Sequence, residues 1–572
     1  MLKKIVKTKN FWPVVVITIL ALLASRRLFV PGYFIMHDDL QMMRTLEMEK
    51  CFKDFQIPCR WVPDMGYGFG FPLFNFYPPL PYLFAMVFRL LAFPFTATVK
   101  LTFASAFLLS GVAMYFFARK FFLPAGRQAA NIGGVVAGIF YIWAPYHAVD
   151  IYVRGAMNEA WAFVFFPLIL LFSYQLITSH KNLILLSLSW VGLLLAHNLM
   201  VLIFTPVFAL WCLLWIVKSK KILSIKYLVL SGILTFGLAA FFTLPVLVES
   251  KLVYVNLLTQ GYYDFAGHFA TLRQLFISRF WGDGPSTFGI GDGMAFPIGH
   301  IHWIAVAVSG LVFVYFWWKR KKLEVADFVF VFFMAVGLFS AFMAHGRSTP
   351  IWLAIPVLKY VQFPWRFLTL ASLGFSFAAG WLICKLEKFK KQPLWLVIIM
   401  VIAVVVWNWE FFAPVREGPV TDTEKFAGEA WRIQQAAGIY DYLPNTAKIA
   451  PDSKRTVLAE IIEGKGIIYF ENHPERTNWL TFDADIKEGG AVVRINVLAF
   501  PDWKVLIDGN QVPTYIDEVE EWGRLYVDIP EGKHFVYARL YNTPIRNIAN
   551  GISLVTWLGF LSFPLVKKFR RQ

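Results

Sequence analysis

The sequence predicts an α-helical, polytopic membrane protein with a β-sandwich-like domain near its C-terminus. Three features predict it: the composition, a series of apolar segments and the distribution of basic residues. Of the 572 residues, 58% are hydrophobic and 16% are charged, whereas about 25% are charged in a typical soluble domain. About twelve apolar segments approach the roughly 20 residues that cross a bilayer. They lie near residues 11–30, 97–118, 131–149, 160–178, 183–197, 199–217, 226–245, 299–318, 325–343, 366–385, 393–411 and 547–566.

Lysine and arginine are concentrated at alternate ends of these segments, as the positive-inside rule expects of cytoplasmic loops. The pattern predicts a multi-pass protein of a bacterial-type plasma (inner) membrane, with both termini in the cytoplasm. Much of the net charge of +17 is then explained by the lipid bilayer. Nucleic acid is not an expected partner, because no basic run is interleaved with stacking aromatics in a polar domain. The basic clusters are Lys3, Lys4, Lys7 and Lys9; Arg119, Lys120 and Arg127; His180 and Lys181; Lys218, Lys220 and Lys221; Lys319, Arg320, Lys321 and Lys322; Lys385, Lys388, Lys390 and Lys391; and Lys567, Lys568, Arg570 and Arg571.

One further apolar segment, Pro79–Pro94, is short and contains Arg89. Counting it as a span would reverse the side of every later loop, so we expect an interfacial or re-entrant helix on the outer face. The outer loops are then residues 31–96, 150–159 and 246–298. The predicted domains are a transmembrane domain over 1–411, an extracytoplasmic and mainly β domain over 412–546, and a final helix with a basic cytoplasmic tail over 547–572.

Alternating apolar and polar residues predict a series of strands after a helix near Thr423–Ala437. The pairs Asp508-Gly509 and Glu531-Gly532 are typical of hairpin turns. Strands at this spacing indicate a small β-sandwich. The order of the predicted spans assigns it to the outer side of the membrane. The predicted strands are GIIYF, NWLTFDADI, AVVRINVLAF, WKVLIDG, RLYVDI and HFVYARLY.

The chain has four cysteines. Cys51 and Cys59 share the first outer loop and could form a disulfide in an oxidising compartment, although two free thiols fit the sequence equally well. Cys212 and Cys384 fall in apolar segments.

The first candidate group for chemistry is His37-Asp38-Asp39, directly after the first apolar segment. Two adjacent carboxylates at a membrane surface can bind a divalent cation or accept a proton from a hydroxyl. Because adjacent side chains diverge, we expect only one of them to face a substrate. The structural alternative is that an Asp caps the helix that begins near Leu40.

A second group, Arg154 and Glu159, lies in the short second outer loop. Ionisable residues at the edge of apolar spans usually have a partner or a task. Arg154 could bind a phosphate, and Glu159 could share a cation with Asp38 or Asp39. A local ion pair between Arg154 and Glu159 is the structural alternative.

His197-Asn198 stands between two closely connected spans at the same predicted face. The imidazole could contact a substrate. A turn with a satisfied imidazole explains this pair at least as well.

The first outer loop also contains an aromatic and glycine-rich stretch with Arg60-Trp61 and Asp64, followed by Tyr77-Pro78-Pro79-Leu80. Such loops suit sugar rings, which stack on Trp and Tyr. The alternative is a loop that packs on the membrane through its aromatic residues.

The last group comprises His345-Gly346-Arg347 and Gln362-Phe363-Pro364-Trp365-Arg366. An arginine at the outer end of a span can bind a lipid phosphate through two hydrogen bonds. It can equally extend its side chain to the headgroups without a specific ligand.

The sequence lacks several common catalytic patterns: zinc-ligand spacing, a Ser-His-Asp grouping, a Gly-Lys-Ser/Thr phosphate loop and a dinucleotide fingerprint. The candidate residues share one predicted membrane face. This distribution favours action on a membrane-bound substrate.

Three motifs resemble the GT-C glycosyltransferase superfamily, multi-span enzymes that use polyprenyl-phosphate-linked sugars. They are His37-Asp38-Asp39, Tyr77-Pro78-Pro79-Leu80 and Arg154…Glu159. The stretches RWVPDMGYGFGFPLFNFYPPLPY, RGAMNE, AHN, QFPWRF and YDYLP are similar to a bacterial membrane family labelled "6-pyruvoyl-tetrahydropterin synthase-related". The region from FPDWKVLIDGNQV to VDIPEGKHFVYARLY resembles the outer domain of YfhO-like proteins. Pterin chemistry is not expected, because no three histidines have zinc-ligand spacing.

The resemblance implies a GT-C-like transmembrane domain and an inverting transfer of a sugar from a polyprenyl-phosphate carrier. The acceptor would be a glycan, lipid or protein of the cell envelope. Asp38 or Asp39 would act as general base, and Glu159 would orient the acceptor or share a cation. A divalent cation, Mg²⁺ or Mn²⁺, on Asp38, Asp39 and Glu159 is the one cofactor to expect. The residues expected to bind substrate or phosphate are His37, Arg60, Asp64, Tyr77, Arg154, His197, Asn198, Arg347, Trp365 and Arg366.

Two other functions are open from the sequence: a transporter or flippase of lipid-linked glycans, and a non-catalytic scaffold for envelope assembly. Transporters bury charge at mid-membrane or have paired broken helices. Here the span interiors are almost uncharged and the charge lies at the outer rim, which favours a surface enzyme.

Overall fold

The computed structural model describes residues 11–289, 291–386, 394–418 and 420–569, with side chains to Ser562 and without that of Arg320. The chain divides into two compact units, each built from segments distant in sequence. Unit 1 comprises Met1–Gln41, Leu91–Thr235 and Thr259–Val420, and unit 2 comprises Met42–Leu90, Phe236–Leu258 and Thr421–Gln572. The division into domains over 1–411, 412–546 and 547–572 depends on which segments cross the membrane, and it stays a prediction. The basic residues outside the described parts are Lys3, Lys4, Lys7, Lys9, Lys388, Lys390, Lys391, Arg570 and Arg571.

Within the described residues, seven helices are long and apolar enough to cross a membrane. An eighth candidate is the pair Arg127–Ile142 and Pro145–Val153, which is bent by 46° at a short break. The predicted helix-rich chain is confirmed, and the length and composition of these helices are consistent with a membrane protein. The count of about twelve spans is not confirmed within the described residues. The seven helices are Phe95–Ala125, Met157–Ser179, Asn198–Ser219, Ile222–Leu252, His300–Lys319, Val325–Met343 and Pro364–Leu386.

Three of the other predicted spans coincide with helices of 14 described residues: Phe11–Ala24, Leu183–Ala196 and Leu394–Trp407. Leu183–Ala196 has described residues on both sides. At 1.5 Å per residue it is about 21 Å long, whereas the hydrocarbon core is about 30 Å thick. The final predicted span lies in the 26-residue helix Pro544–Phe569, which begins with polar residues.

The segment Pro79–Pro94 contains the 11-residue helix Leu80–Leu90. At about 17 Å, this helix is too short to cross a bilayer, which agrees with its exclusion from the predicted spans. Its position at the membrane interface stays a prediction. The other helices of at least four residues near the first loop and the β-domain are Gln41–Lys53, Leu73–Phe76, Asp422–Lys425 and Gly428–Ala436.

The helix Leu368–Leu386 lies at the centre of unit 1, with nearly all of its side chains buried. It approaches the helix Arg127–Ile142 so closely that a Cβ on Gly380 would lie 2.5 Å from the carbonyl oxygen of Gly133. On another side, Trp381 stacks on Phe330 with ring centroids 4.0 Å apart. This packing holds the helix in place, and Arg366 lies in the short turn Pro364–Phe367 that directly precedes it.

Unit 2 contains a seven-stranded antiparallel sheet built around the 20-residue strand Trp479–Leu498. The first half of this strand pairs with Gly532–Leu540, and the second half pairs with Arg524–Ile529. Ala459–Tyr469 pairs along both halves. The predicted C-terminal β-domain is confirmed as an antiparallel sheet, while its sandwich form and its side of the membrane stay predictions. The remaining strands of the sheet are Glu475–Arg476, Trp503–Ile507 and Asn510–Val512.

Two predictions about local chain path are wrong. NWLTFDADI and AVVRINVLAF form one continuous strand, because Gly489 and Gly490, both at positive φ, carry the chain through the residues between the two predicted strands. Glu531-Gly532 is not a hairpin turn, since the strands on its two sides lie one after the other along the same neighbour. Asp508-Gly509 does form the predicted hairpin.

Candidate functional site

Unit 1 contains a buried ion cluster centred on Glu159, near the start of a long apolar helix. The Glu159 Oε2 accepts a hydrogen bond of 2.7 Å from Arg154 Nη1 and lies 3.4 Å from Arg366 Nε. The Oε1 accepts from the hydroxyls of Tyr146, at 2.7 Å, and Thr369, at 3.2 Å. Both carboxylate oxygens are therefore engaged by donors within the protein.

Asp150 and Trp365 complete this Glu159 cluster. The Asp150 carboxylate forms an ion pair with Arg154, whose guanidinium lies 4.5 Å from the centroid of the Trp365 ring. Two carboxylates thus face two guanidiniums, and the cluster has no net charge when all four are ionised. Such balance is what makes buried charges tolerable, because an unpaired buried charge is strongly destabilising.

Arg366 is held by its own loop as well as by Glu159. Its Nη1 donates to the carbonyl oxygen of Val361, at 2.7 Å, and to Gln362 Oε1, at 2.9 Å. Gln362 has a φ of +65°, a conformation that costs energy for a residue with a side chain. The loop therefore orients the guanidinium at the expense of local backbone strain.

The segment His37-Asp38 lies directly against the second outer loop. The backbone N–H of His37 donates to the carbonyl oxygen of Val153, at 3.0 Å, and that of Asp38 donates to Arg154, at 2.8 Å. Gln41 Nε2 donates both to Asp38 Oδ2, at 3.0 Å, and to the carbonyl oxygen of Gly155, at 2.8 Å. Asp38 and Asp39 are both half-buried. The two acidic motifs predicted to act together are thus joined through Asp38.

His37 and His197 differ in their surroundings. His37 is exposed, and its Nε2 lies 2.7 Å from the carbonyl oxygen of Asp283. The Nδ1 of His197 accepts the N–H of Leu199, at 3.1 Å, and so caps the helix that begins at Asn198. Because Nδ1 accepts this hydrogen bond, the hydrogen of the imidazole is placed on Nε2.

Arg347 stands apart from the Glu159 cluster. It lies in the short turn Gly346–Ser348, its side chain is exposed, and its backbone N–H donates to His345 Nδ1 at 3.2 Å. An exposed guanidinium of this kind fits contact with a headgroup phosphate as well as it fits a substrate.

Three predicted residues, Arg60, Asp64 and Tyr77, belong to unit 2. Arg60 is buried, and its terminal nitrogens donate to Asn75 Oδ1, at 3.0 Å, and to Asn550 Oδ1, at 2.8 Å. Burial, together with the nearby charge of Arg546, lowers the pKa of Arg60 to about 9. These contacts make Arg60 part of an internal polar network of unit 2.

Asp64 forms an ion pair with Lys50 and lies beside the fully buried Glu47. Burial raises the pKa of Glu47 well above its ordinary value, and the charge of Asp64 adds to that effect. Burial also acts to raise the pKa of Asp64. A hydrogen bond with Glu47 and the charge of Lys50 outweigh the effect of burial, so the pKa of Asp64 is lowered. The hydroxyl of Tyr77 accepts from Arg44 Nη1 at 3.0 Å.

Cys51 and Cys59, close to these residues in the chain, form a disulfide with Cα atoms 5.5 Å apart. The sequence left this pairing open against two free thiols. Cys212 and Cys384 are buried and are not part of a disulfide within the described residues.

Sequence reasoning missed several members of these networks. Asp150 and Glu249 stand at the ends of apolar segments, where an ionisable residue usually has a partner, so this rule could have found them. Tyr146 and Thr369 carry no such signal, because hydroxyl residues are common in membrane helices. Arg546 precedes the final span and resembles the ordinary basic flank of a helix.

The predicted cation on Asp38, Asp39 and Glu159 does not fit this arrangement. Within the described residues, no three His, Cys, Asp or Glu side chains are grouped to hold a metal ion. Both oxygens of Glu159 accept from protein donors, and a cation there would face the positive charges of Arg154 and Arg366. No step proposed below uses a cation.

Comparison with known families finds no family model that matches the chain. A protein of Lactococcus lactis subsp. cremoris (strain MG1363), described as "Uncharacterized protein", is 23% identical over 255 residues. The match covers 43% of this chain and 41% of that protein. The chain thus spans less than half of its relative's length, and the relative's description assigns no activity.

Proposed function

We propose that the protein is a GT-C-type membrane glycosyltransferase. It would move a sugar from a polyprenyl-phosphate-linked donor to a cell-envelope acceptor at the outer face of a bacterial plasma membrane. The observation that carries the proposal is the hydrogen bond of 2.8 Å between the backbone of Asp38 and that of Arg154. It holds a half-buried carboxylate beside a buried pair of guanidiniums, which are the two kinds of group that this transfer needs.

In this proposal, Asp38 is the general base. Its carboxylate accepts the proton of the acceptor hydroxyl, whose oxygen forms a bond to C1 of the sugar as the bond from C1 to the phosphate oxygen breaks. Gln41 orients Asp38 Oδ2 through a hydrogen bond of 3.0 Å. Because adjacent side chains diverge, only one of the two carboxylates is expected to face the acceptor, and the loss of Asp39 is expected to matter less.

Arg154 and Arg366 would donate hydrogen bonds to the departing phosphate. Negative charge grows on that group as the C1–O bond breaks, and donors held in place in a site of low dielectric stabilise it. Because Asp150 and Glu159 balance the two guanidiniums, the stabilisation comes from the placement of the donors and not from a net positive charge. Both guanidiniums also contact Glu159. Glu159 therefore acts as a positioning residue that keeps the two arginines together.

A transporter of lipid-linked glycans is the second candidate, and one observation favours it. The bent pair Arg127–Ile142 and Pro145–Val153 leads directly into the Glu159 cluster, and transporters often form substrate sites where helices are broken. A transporter would move the whole lipid-linked glycan and leave the C1–O bond intact.

Sugar transfer in isolated membranes tests the proposal. A panel of polyprenyl-phosphate sugars would be supplied to the wild type and to Asp38→Asn, Asp39→Asn and Glu159→Gln. The matched control is Glu410→Gln, whose carboxylate is 53% exposed and pairs with Arg279 at 2.7 Å.

We expect Asp38→Asn to lower the transfer rate by about 10²–10⁴-fold, the usual contribution of a general base. Asp39→Asn and Glu410→Gln should retain transfer within a few-fold, and a chelator should have no effect. Wild-type membranes that transfer no sugar but move lipid-linked glycans between leaflets would replace the proposal by the transporter.

A further inference from the structure

The turn that follows the helix Gln41–Lys53 in unit 2 presents two large apolar side chains to the outside. Phe55 is 87% exposed and Ile57 is 67% exposed. Both lie within the loop that the disulfide Cys51–Cys59 closes. Single exposed apolar residues are common on proteins, whereas a group of them marks an interaction surface. The neighbours of this turn therefore decide what its exposure means.

The end of a second helix adds to the same surface. Leu90, the last residue of the helix Leu80–Leu90, is 87% exposed. Arg89 forms an ion pair with Glu49, which holds the C-terminal ends of the two helices side by side. The exposed apolar residues at these two ends, here called the apolar tip, are Phe52, Phe55, Ile57, Val87 and Leu90.

The loop that carries the tip is bound to two apolar helices of the same unit. Arg60 directly follows the disulfide, and its Nη2 donates to the carbonyl oxygen of Phe241, at 2.9 Å, and to Asn550 Oδ1, at 2.8 Å. Phe241 lies in the helix that ends at Glu249, and Asn550 lies near the start of the helix Pro544–Phe569. The loop therefore lies where these two helices meet the polar part of the unit.

The sheet provides a second measure of the same level. Asp54 Oδ2, next to Phe55 in the chain, accepts the backbone N–H of Thr477 at 2.7 Å. The strand that follows begins at Trp479, which pairs with Arg539. From Arg539 the chain runs only a few residues to the start of the last helix. The tip is thus attached to the end of the sheet from which the chain enters an apolar helix.

The outer surface of these helices is itself apolar close to their polar ends. Leu247 and Ile548 are both exposed, and they are near in the chain to Glu249 and Arg546, whose ion pair joins the two helix ends. Exposed apolar side chains on membrane helices are covered by lipid. The same bilayer can cover the tip, because the tip belongs to the loop bound at these ends.

The charges around the tip are paired within the protein. Lys53 and Arg89 both contact Glu49, and Asp54 pairs with Arg476 at 3.0 Å. Attachment to a membrane would therefore draw on burial of apolar surface and would not need an anionic lipid.

We propose that the turn closed by Cys51–Cys59 is a membrane anchor, in which Phe55 and Ile57 insert into the surface of the bilayer beside Leu90. Side chains inserted in this way reach about 5–10 Å into the boundary between headgroups and acyl chains. The sequence favours an interfacial position for the helix within Pro79–Pro94 and assigns no such role to the turn. The anchor holds the first loop and, through Asp54, the end of the sheet at the membrane. It does not depend on the transferase function.

Photochemical cross-linking in vesicles of phosphatidylcholine tests the anchor. The full chain would carry benzoylphenylalanine, a photoreactive derivative of phenylalanine, in place of Phe55, of Ile57 or of one control residue. Leu558, which is 59% exposed in the last helix, is the control for contact with lipid. Ile467, which is 53% exposed on an edge strand of the sheet, is the control for contact with water. Mass spectrometry of the irradiated protein measures the yield of lipid adducts.

We expect adducts from the positions of Phe55, Ile57 and Leu558, with yields at least about tenfold above that of Ile467, because a group in water does not meet the acyl chains. Phe55→Asp should lower the yield from the Ile57 position by at least about threefold, since the burial of one phenylalanine side chain contributes about that factor or more. Ile467→Asp, a change at an equally accessible position, should leave that yield unchanged. Both variants should elute from gel filtration as the wild type does.

Yields from Phe55 and Ile57 as low as that from Ile467, while Leu558 is labelled, would overturn the anchor. A cross-link from Phe55 to a second copy of the chain in place of lipid would also overturn it, and would assign the tip to a contact between copies. An unchanged yield from Ile57 in Phe55→Asp would show that apolar insertion is not the cause. None of these readouts involves sugar transfer, so the anchor and the transferase can fail separately.

Discussion

Glu249 and Arg546 form an ion pair of 2.9 Å across 297 residues, with both side chains almost fully buried. Glu249 also accepts hydrogen bonds from Thr543 Oγ1, at 2.6 Å, and from Asn75 Nδ2, at 2.9 Å. Asn75 in turn binds Arg60. The first loop, the end of one apolar helix and the start of the last helix therefore converge on a single carboxylate within unit 2.

Removing one partner of this pair should destabilise unit 2. Glu249→Ala leaves Arg546 buried and without its counter-ion, which typically costs about 3–5 kcal/mol. The double variant Glu249→Leu/Arg546→Met should recover most of that loss, since both charges are then absent. Thermal and denaturant unfolding in detergent measures both effects. A single variant within about 1 kcal/mol of the wild type, the usual scale of an exposed pair, would contradict the assignment.

The disulfide Cys51–Cys59 should stabilise the first loop against unfolding. It closes a loop with a sequence separation of 8, for which loss of chain entropy predicts a contribution of about 2–3 kcal/mol. The double variant Cys51→Ser/Cys59→Ser should lose that amount. A reductant should lower the unfolding midpoint of the wild type and leave the double variant unchanged. An equal response of the two proteins would assign the effect of the reductant to something else.

The sequence predicted elements better than contacts. The length of the apolar segment predicts the helix Val325–Met343 correctly. Helices buried in lipid and helices buried in protein are both apolar, however. The same signal therefore does not distinguish a full span from the 14-residue helix Leu183–Ala196. A local ion pair of Arg154 and Glu159 is the structural alternative that the sequence offers, because the two residues are close in the chain. Arg366 joins them through tertiary packing, which no local pattern encodes.

The first loop illustrates the same limit. Arg60 and Asp64 were predicted to bind substrate because both lie in a glycine-rich loop. In the structure, Arg60 joins Asn75 and Asn550, and Asp64 joins Lys50. Whether a charged loop residue faces a ligand or an internal partner depends on what the rest of unit 2 brings to it.

Glu47 and Asp64 should make the stability of unit 2 depend on pH. Burial raises the pKa of Glu47 well above its ordinary value of 4.5. Such a carboxyl stabilises the folded state fully below its unfolded-state pKa, and that contribution is lost as the pH rises through the raised value. The pKa of Asp64 is lowered from 3.8. Asp64 therefore stabilises the folded state above that value, and this stabilisation is lost as the pH falls through the lowered pKa. Above about pH 4.5, Glu47 therefore dominates, and stability should decrease with rising pH.

Glu47→Gln tests this dependence. The amide cannot lose a proton, so the Tm of the variant should fall less than that of the wild type between about pH 5 and about pH 9. Glu471→Gln, at an exposed position, should follow the wild-type curve. Parallel curves for Glu47→Gln and the wild type would show that Glu47 does not titrate in this range.

Gly155 should be needed to hold Asp38 in place. Its φ is +63°, and a Cβ there would lie 2.2 Å from Sδ and 3.0 Å from Cβ of Met36. Gly261 is a matched control, because its φ is +60° and nothing lies within 4 Å of a Cβ. Alanine costs about 1–2 kcal/mol at such a φ in either place, so any further effect at Gly155 comes from the collision with Met36.

That collision displaces the residue just before His37-Asp38, whose backbone hydrogen bonds end on Val153 and Arg154. Since a misplacement of about 1 Å can cost 10²-fold in rate, Gly155→Ala should lower sugar transfer by about that factor. Gly261→Ala should keep transfer within a few-fold while losing a similar amount of stability from its φ alone. Transfer rates and Tm values of the two variants, measured side by side, separate the positioning of Asp38 from general destabilisation. If the two variants transfer sugar at the same rate, the contact between Gly155 and Met36 does not position the base.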